Sequence, residues 1–456
     1  MEITQAFSFQ KRSWAGHEYS MKNMKISLQS TAEEEDIYAQ GEALLAMAEK
    51  ECSHVQVRIT NPVALQLELV KGKPHSFISA NDLSYAILVH LDGKAGISGG
   101  NAFSPDIVHR AVAVAKAAVH GDYFYGLPEK QPAKRVALFD KKIAQISEVQ
   151  LLDMGEELAS GITEQHTILS TGSLSKETST DYLFTSEGVQ HVEQQTSLSA
   201  VAECIARQGE KVSSAWDYKQ ERQWFPLSPF AAAIGRKTNA FLHANQLQEK
   251  PPVVIIKPEP FAELLDHAFL SNLDVKRVEK GKSLFADKVD KQVLSSTVTI
   301  TDDAQLPYGQ HSHTIDFEGT PGQKTPLFQH GVLKNFIYDY NTALHAGKTP
   351  TGNADFSAID FTNVVVEGEF QEVDHALIVD SVIGAHTAEE VSTDFSVTVD
   401  RAYLLKNGQK VPVTGFMLSG KVLHALQNTV SIGKKIEARN GIYTGALATT
   451  GINVII

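Results

Sequence analysis

The feature that most limits the folds open to this chain is apolar–polar alternation, held over several separate runs. Val55-Gln-Val-Arg-Ile59, Ala64-Leu-Gln-Leu-Glu-Leu-Val70 and Tyr85-Ala-Ile-Leu-Val-His-Leu91 each place every second side chain on one face, the pattern of a strand with one dry and one wet side. Asn61-Pro62, Lys71-Gly-Lys-Pro74 and Asp92-Gly93 punctuate these runs, so the spacing predicts an antiparallel meander. Longer strands are expected from Tyr182 to Glu221, broken at Glu187-Gly188 and Gln208-Gly209. Helical signals are interleaved with them. Thr31 can cap a helix whose first turn carries Glu33 to Asp36, acids that suit the positive end of a helix dipole. Ser104-Pro105 opens a second helix with Ile107, Val108, Ala111, Val112, Val114 and Ala115 as its apolar stripe. Others are predicted near 148–161 and from Ser228-Pro229 to about Asn245. The fold class is therefore α+β.

A chain of 456 residues exceeds one ordinary core. Gln246-Leu-Gln-Glu-Lys-Pro-Pro252 is a plausible boundary. The reading is an N-terminal extension over 1–30, an N-terminal α+β domain with meander and helices over 31–245, and a C-terminal β-rich domain over 246–456. Beyond the boundary, Pro251 to Pro260 reads as a short buried strand and Phe261 to Leu270 as the helix that follows. The rest is dense in strand runs and glycine turns, which predicts a strongly curved, mainly antiparallel sheet. Within it, Ala402 to Val413 is a hairpin around Asn407-Gly408, a pair suited to a type I′ turn.

A net charge of −13 argues against nucleic acid, whose phosphates are held by clustered Lys and Arg. No apolar run approaches the ~20 residues of a membrane span, and the first 30 residues contain no secretory h-region. Cys52 and Cys204 are the only cysteines, too few for a Cys-rich zinc module and consistent with a reducing compartment. The expectation is a cytoplasmic protein with no nucleic-acid or membrane partner.

A series of short motifs resembles the PmbA/TldD family, also labelled modulator of DNA gyrase. In order they are Gly281-Lys-Ser-Leu-Phe285, Ser296 to Asp303, Asp316-Phe-Glu-Gly319, Gly331 to Asp339, Ala343, Thr351-Gly-Asn353 and Lys406 to Val413. Where the family's metal-bearing branch reads Leu-Leu-His-Glu-x-x-x-His, this chain reads Leu264-Leu265-Asp266-His267-Ala-Phe-Leu-Ser271. The resemblance therefore implies the PmbA/TldE-like branch, which keeps the enzyme's frame without its metal motif. The tail from Ala438 to Gly445 also lacks the cysteine that the metal branch carries near its end. The resemblance places Asp316, Glu318 and Thr351-Gly352-Asn353 at the family's cleft. It implies no cofactor in this chain and zinc in a TldD-like partner.

Other chemistry is weaker. His17-Glu18 has no second histidine a turn away, as a helical zinc site would need. In His311-Ser-His313-Thr-Ile-Asp316-Phe-Glu318 a strand would put the imidazoles on one face and the carboxylates on the other, so the four would not converge. Gly96-Ile-Ser98-Gly-Gly100 fits a nucleophile-elbow pattern formally. The helix start, however, is at Ser104-Pro105 rather than directly after the serine, and the segment reads as a turn.

The leading expectation is a non-catalytic subunit that pairs with a TldD-like subunit to form a peptidase for unfolded peptides. Two alternatives stand beside it. One is a self-sufficient metal-dependent peptidase drawing on His267, His311, His313 and Glu318, and the other is a homodimeric peptide-binding module without hydrolysis.

Overall fold

A computed structural model describes residues 31–120, 123–356 and 358–456. The 1–30 extension, with His17-Glu18, lies outside the described residues, as do the side chains of 31–33 and with them the Thr31 cap. The fold is mixed α+β, its antiparallel sheet curled as a half-barrel.

The first sheet comprises β1 (His54–Val70), β2 (Lys73–Asn81), β3 (Ser84–Leu91), β4 (Lys94–Gly100), β5 (Thr167–Thr185), β6 (Gln190–Gln208) and β7 (Lys211–Glu221). Its order is β4-β3-β1-β5-β6-β7, with β2 also on β1. The meander is present, but Asn61-Pro62 does not break it. Val55, Val57, Ile59, Asn61, Leu65, Leu67 and Leu69 keep one parity and are all buried, so a single strand runs through. Pro62 is tolerated because one ladder changes partner there, from β3 (ending at Thr60↔Ser84) to β2 (starting at Val63↔Asn81). A proline lacks only the donor that this gap leaves unused.

The odd-numbered face of β1 is dry along its length, under two separate sets of helices. The helices Thr31–Ala48 and Asp106–Ala117 cover Val55, Val57, Ile59, Ile87 and Phe184 with Ile37, Leu44, Ile107 and Ala111. Glu148–Ser160 and Leu227–Ala240 cover Leu65, Leu67, Leu69, Leu174 and Leu198 with Leu151, Leu158, Ala231 and Ile234. Ser147 caps the first of this second pair in a reciprocal capping box with Gln150, which satisfies two otherwise unpaired donors. Gly96-Ile-Ser98-Gly-Gly100 is strand β4 rather than a turn or an elbow. A Cβ on Gly96 would sit 2.0 Å from the Ala111 carbonyl oxygen, so the glycine is there to let a helix close onto the sheet.

The C-terminal half has two sheets around one core. A six-stranded sheet is centred on Val298–Asp303 and Val364–Gly368. A nine-stranded sheet contains Val253–Ile256, Ala376–Ile383, Asp394–Lys406 and Gln409–Thr414. Pairing is mainly antiparallel, with parallel pairs at 253–256/376–379, 364–366/442–444 and 245–246/413–414. Asn407 and Gly408 have φ of 51° and 72°, as the type I′ hairpin requires. The expected helix starts earlier, as Pro258–Ala268, because Pro258 and Pro260 fall in a first turn that needs no N–H partner. Among the described residues no helix is long and apolar enough to cross a membrane.

An ionic seam joins the halves. The buried Asp380 carboxylate meets Lys237 at 3.1 Å, Arg401 at 3.8 Å, and Lys257. Nearby, Arg439 bonds Asp217 of β7 at 2.8 Å and the Tyr218 carbonyl at 2.6 Å. These contacts turn the wet face of the first sheet, the even-numbered side of β1, toward the loops of the C-terminal half.

Candidate functional site

That wet face carries Arg58 on β1, Asp181 and Leu183 on β5, and His191, Glu193 and Gln195 on β6. Opposite lie residues 311–317, 353–355 and 360–362, and the space between is a cavity of about 290 Å³. A second space of about 460 Å³ continues from it, sharing Arg58, Asp181, Gln195, Phe317 and Asp355 and adding Glu177. Together they form an open, polar groove between the two halves.

The loops that wall the groove are held by backbone-directed bonds. Asp316 is 4% exposed. Its Oδ1 accepts from the N–H groups of Glu318, Gly319 and Thr320, and its Oδ2 from that of Ala354. Phe317 N–H in turn donates to the Ala354 carbonyl at 3.1 Å, so the Asp-Phe-Glu-Gly turn is stitched to the residue after Thr351-Gly-Asn353. Burial pushes the Asp316 carboxyl up, against the pull of these four donors. Glu318 Oε2 caps the short helix Tyr340–His345 by accepting from Tyr340 N–H at 2.9 Å. Burial, together with the Asp316 and Asp339 charges, raises its carboxyl to about 8.

Thr351 faces away, its hydroxyl accepting from Tyr338 N–H and donating to the Tyr338 carbonyl. Gly352 lies at φ 74°, and its carbonyl is 3.0 Å from His313 Nε2. Asn353 donates to Asp302 Oδ2 at 2.8 Å and to the Asp360 carbonyl at 2.9 Å. Asp302, 1% exposed, is raised to about 6 by burial, against its bonds from Asn353 and Thr362. Of the five residues singled out from sequence, Asp316 and Asn353 line the cavity. Glu318, Thr351 and Gly352 are not among its lining residues and serve to shape the loops behind it.

Segment 311–318 is irregular rather than a strand, so alternation does not apply. His311, His313 and Asp316 all reach the same cavity. Burial lowers the pKa of both imidazoles, which keeps them neutral near pH 7. Arg222 anchors the segment by donating to the Ser312 and Gln310 carbonyls at 3.0 and 2.9 Å. Glu193 accepts from Thr314 N–H at 3.1 Å and faces His191 at 3.6 Å. Burial pushes the Glu193 carboxyl up, but these partners hold it below its ordinary value.

The sequence reading named no residue of the N-terminal half as part of the site. Arg58, Asp181, His191 and Glu193 were visible only as the polar positions of alternating strands, a pattern that marks a wet face without saying what meets it.

Asp266 and His267 are exposed at the end of the helix Pro258–Ala268. Ser271 lies beyond it in the 3-10 turn Leu270–Leu273. Asp266 lies close enough to the groove for its charge to be felt by His311 and Asp360. A zinc site needs several nitrogen, sulfur or carboxylate donors converging within about 2.3 Å of one ion. Asp266, His267 and Ser271 do not supply that set. Among the described residues no group of three or more His, Cys, Asp or Glu is placed to hold a metal. Cys52 and Cys204 are buried in the N-terminal half.

The Thr-Gly-Asn loop allows a direct test of its shape. Gly347→Ala and Gly352→Ala both force a side chain onto positive φ, 62° and 74°, but a Cβ at 347 meets open space while one at 352 falls 2.6 Å from the Pro321 carbonyl oxygen. The first is expected to lose about 1 kcal/mol and the second clearly more, read as paired shifts in thermal midpoint. Equal shifts would mean that the loop does not depend on this close approach.

Residues 250–455 match the model of the PmbA/TldA metallopeptidase C-terminal domain. The chain is similar to an uncharacterized protein of Methanocaldococcus jannaschii, 25% identical over 90% of this chain and 98% of that one. It is also similar to the metalloprotease PmbA of Escherichia coli O157:H7, 20% identical over 93% and 97%. A metalloprotease TldD homolog of Buchnera aphidicola is 29% identical, but over 44% of each chain, so the match spans less than half of that relative. Among solved structures, TldE of Thermococcus kodakarensis has the same fold, with a TM-score of 0.86 at 19% identity over 91% of this chain and 100% of that one.

Proposed function

Because the chain belongs to the PmbA/TldD family, we propose that it is a non-catalytic, PmbA/TldE-like subunit that pairs with a zinc-bearing TldD-like subunit in a cytoplasmic peptidase for unfolded peptides. The observation that carries this reading is the donor set at the end of the helix Pro258–Ala268. Asp266, His267 and Ser271 offer one imidazole where a helical zinc peptidase needs two, and no glutamate beside it to act as base. In this role the chain contributes one wall of a peptide channel. Its groove is open and polar, which suits an extended peptide with little demand on sequence. The partner contributes the metal and the base. A pairing of this kind calls for a contact in the ~2,000 Å² or larger class of obligate complexes.

Metal content is the first test. The chain purified alone is expected to keep no stoichiometric zinc after dialysis, measured by elemental analysis. Stoichiometric zinc that disappears on His267→Ala or His311→Ala would overturn the reading in favour of a self-sufficient enzyme.

A further inference from the structure

We propose that the outer edge of the strand Ile452–Ile455 is an interaction surface, and that a second copy of this chain pairs there, strand against strand about a twofold axis. This contact is separate from the one proposed with a TldD-like subunit.

The strand pairs with Phe416–Lys421 and with no other strand among the described residues. Its far side therefore presents a row of backbone N–H and C=O groups, a template for a further strand unless something blunts it. Other edges of the molecule are blunted. Arg110 donates to the Gly99 carbonyl on β4 at 3.2 Å, and Arg401 and Arg439 donate to the Ser214 and Tyr218 carbonyls on β7. The outer strand β2 carries Lys73, Pro74 and His75. In the nine-stranded sheet, Asn245–Gln246 is only two residues long, and Thr429–Ile432 is tied from its Ile432 N–H to the Glu369 carbonyl at 2.9 Å. Ile452–Ile455 contains no Lys and no Pro, and its register on Phe416–Lys421 runs without a bulge.

The side chains favour the same surface. Ile383↔Thr398, Thr398↔Met417 and Met417↔Ile455 are successive cross-strand pairs, so they form one row across the sheet. Ile383, Met417 and Ile455 are 61%, 38% and 46% exposed in that row, whereas Val397, Leu418 and Val454, which alternate with it, are buried in the core beneath. The adjoining row is Ser396, Ser419 and Asn453.

Charge decides the occupant. Two copies of a chain with net charge −13 repel each other, so they meet best where neither carries charge. Residues 416–420 and 452–456 contain no charged side chain. Antiparallel pairing of a strand with its own copy matches each donor to an equivalent acceptor, and it sets the two exposed apolar rows side by side as one face across the dimer. A four-residue ladder is small against the ~800 Å² per partner of a standard interface, so a Kd on the order of 10 µM is expected.

The test is sedimentation equilibrium of the full chain from about 1 to 200 µM, a range that brackets this constant. A monomer–dimer equilibrium is expected. Asn453→Lys with Ile455→Lys, both at exposed positions, should weaken it at least about tenfold without moving the thermal midpoint, and Val212→Lys, exposed on β7, should leave it unchanged. Amide hydrogen exchange of the unaltered chain gives a readout that does not depend on how the variants fold: exchange at 452–455 should slow as concentration rises. A monomer at every concentration, a dimer indifferent to the double substitution, or exchange at 452–455 that ignores concentration overturns the inference. Protection there only when a TldD-like subunit is added assigns the edge to that partner and overturns the second copy.

Discussion

Peptidase activity is expected from the mixed complex of this chain with a TldD-like subunit, and not from either chain alone. The argument runs from the donor set. A zinc peptidase lowers its barrier by polarising the scissile carbonyl and by generating hydroxide from bound water, and both tasks need the converging ligands that Asp266, His267 and Ser271 do not provide. Asp266→Ala and His267→Ala lie at an exposed helix end. Such changes cost no more than about 0.5 kcal/mol of stability, so turnover of an unfolded peptide by the complex should persist. Replacing the His-Glu motif of the partner should abolish it by several orders of magnitude. Robust hydrolysis by this chain alone, or loss of the complex's activity on His267→Ala here, would refute the scaffold role.

The second large effect concerns the seam that holds the two walls of the groove in place. Asp380→Asn is expected to destabilise the protein by about 3–5 kcal/mol at neutral pH, because Lys237, Lys257 and Arg401 would remain gathered around a neutral group. Burial pushes the Asp380 carboxyl up, but the ammonium groups of Lys237 and Lys257 outweigh it and hold the pKa below the ordinary 3.8. A carboxyl depressed in the folded state stabilises fully above its unfolded value and loses that contribution as pH falls through the folded one. The gap between wild type and Asp380→Asn should therefore be widest above about pH 4 and close on further acidification. Urea unfolding at pH 7 and pH 3 measures both values. A gap that is small at pH 7, or that does not narrow at pH 3, would show that the seam is not built on this charge.

Much of the fold was legible in the residues because its elements are set by local pattern. Alternation in 55–70 and 85–91 marked strands, 182–221 was read as long strands although β5 begins earlier, at Thr167, Ser104-Pro105 marked a helix start, and Asn407-Gly408 marked a hairpin. The misses were also physical. Asn61-Pro62 looks like a break because proline removes a donor, and only the change of partner strand at that point makes the donor unnecessary. Lys73 to Asn81 was missed because a strand exposed on both faces carries no alternation. Gly96 to Gly100 read as a turn because nothing in the local sequence shows that the next helix, Asp106–Ala117, folds back onto this segment and demands its bare backbone.

The site was less legible for the same reason. The order of short motifs and the presence of Asp266, His267 and Ser271 at the helix 258–268 are readable from sequence alone, and they point to the family whose C-terminal domain model matches residues 250–455. Which side chains share the groove was decided by tertiary structure. Asp316 and Glu318 look like chemistry in a sequence, but the fold spends one on four backbone donors and the other on a helix cap. Arg58, Glu193 and Arg222 look like ordinary polar positions, yet sheet curvature and the Asp380 seam bring them against loops at least 88 residues away in the chain. A one-dimensional pattern reports which face of a strand is wet, and only the packing of distant segments decides what that face is turned toward.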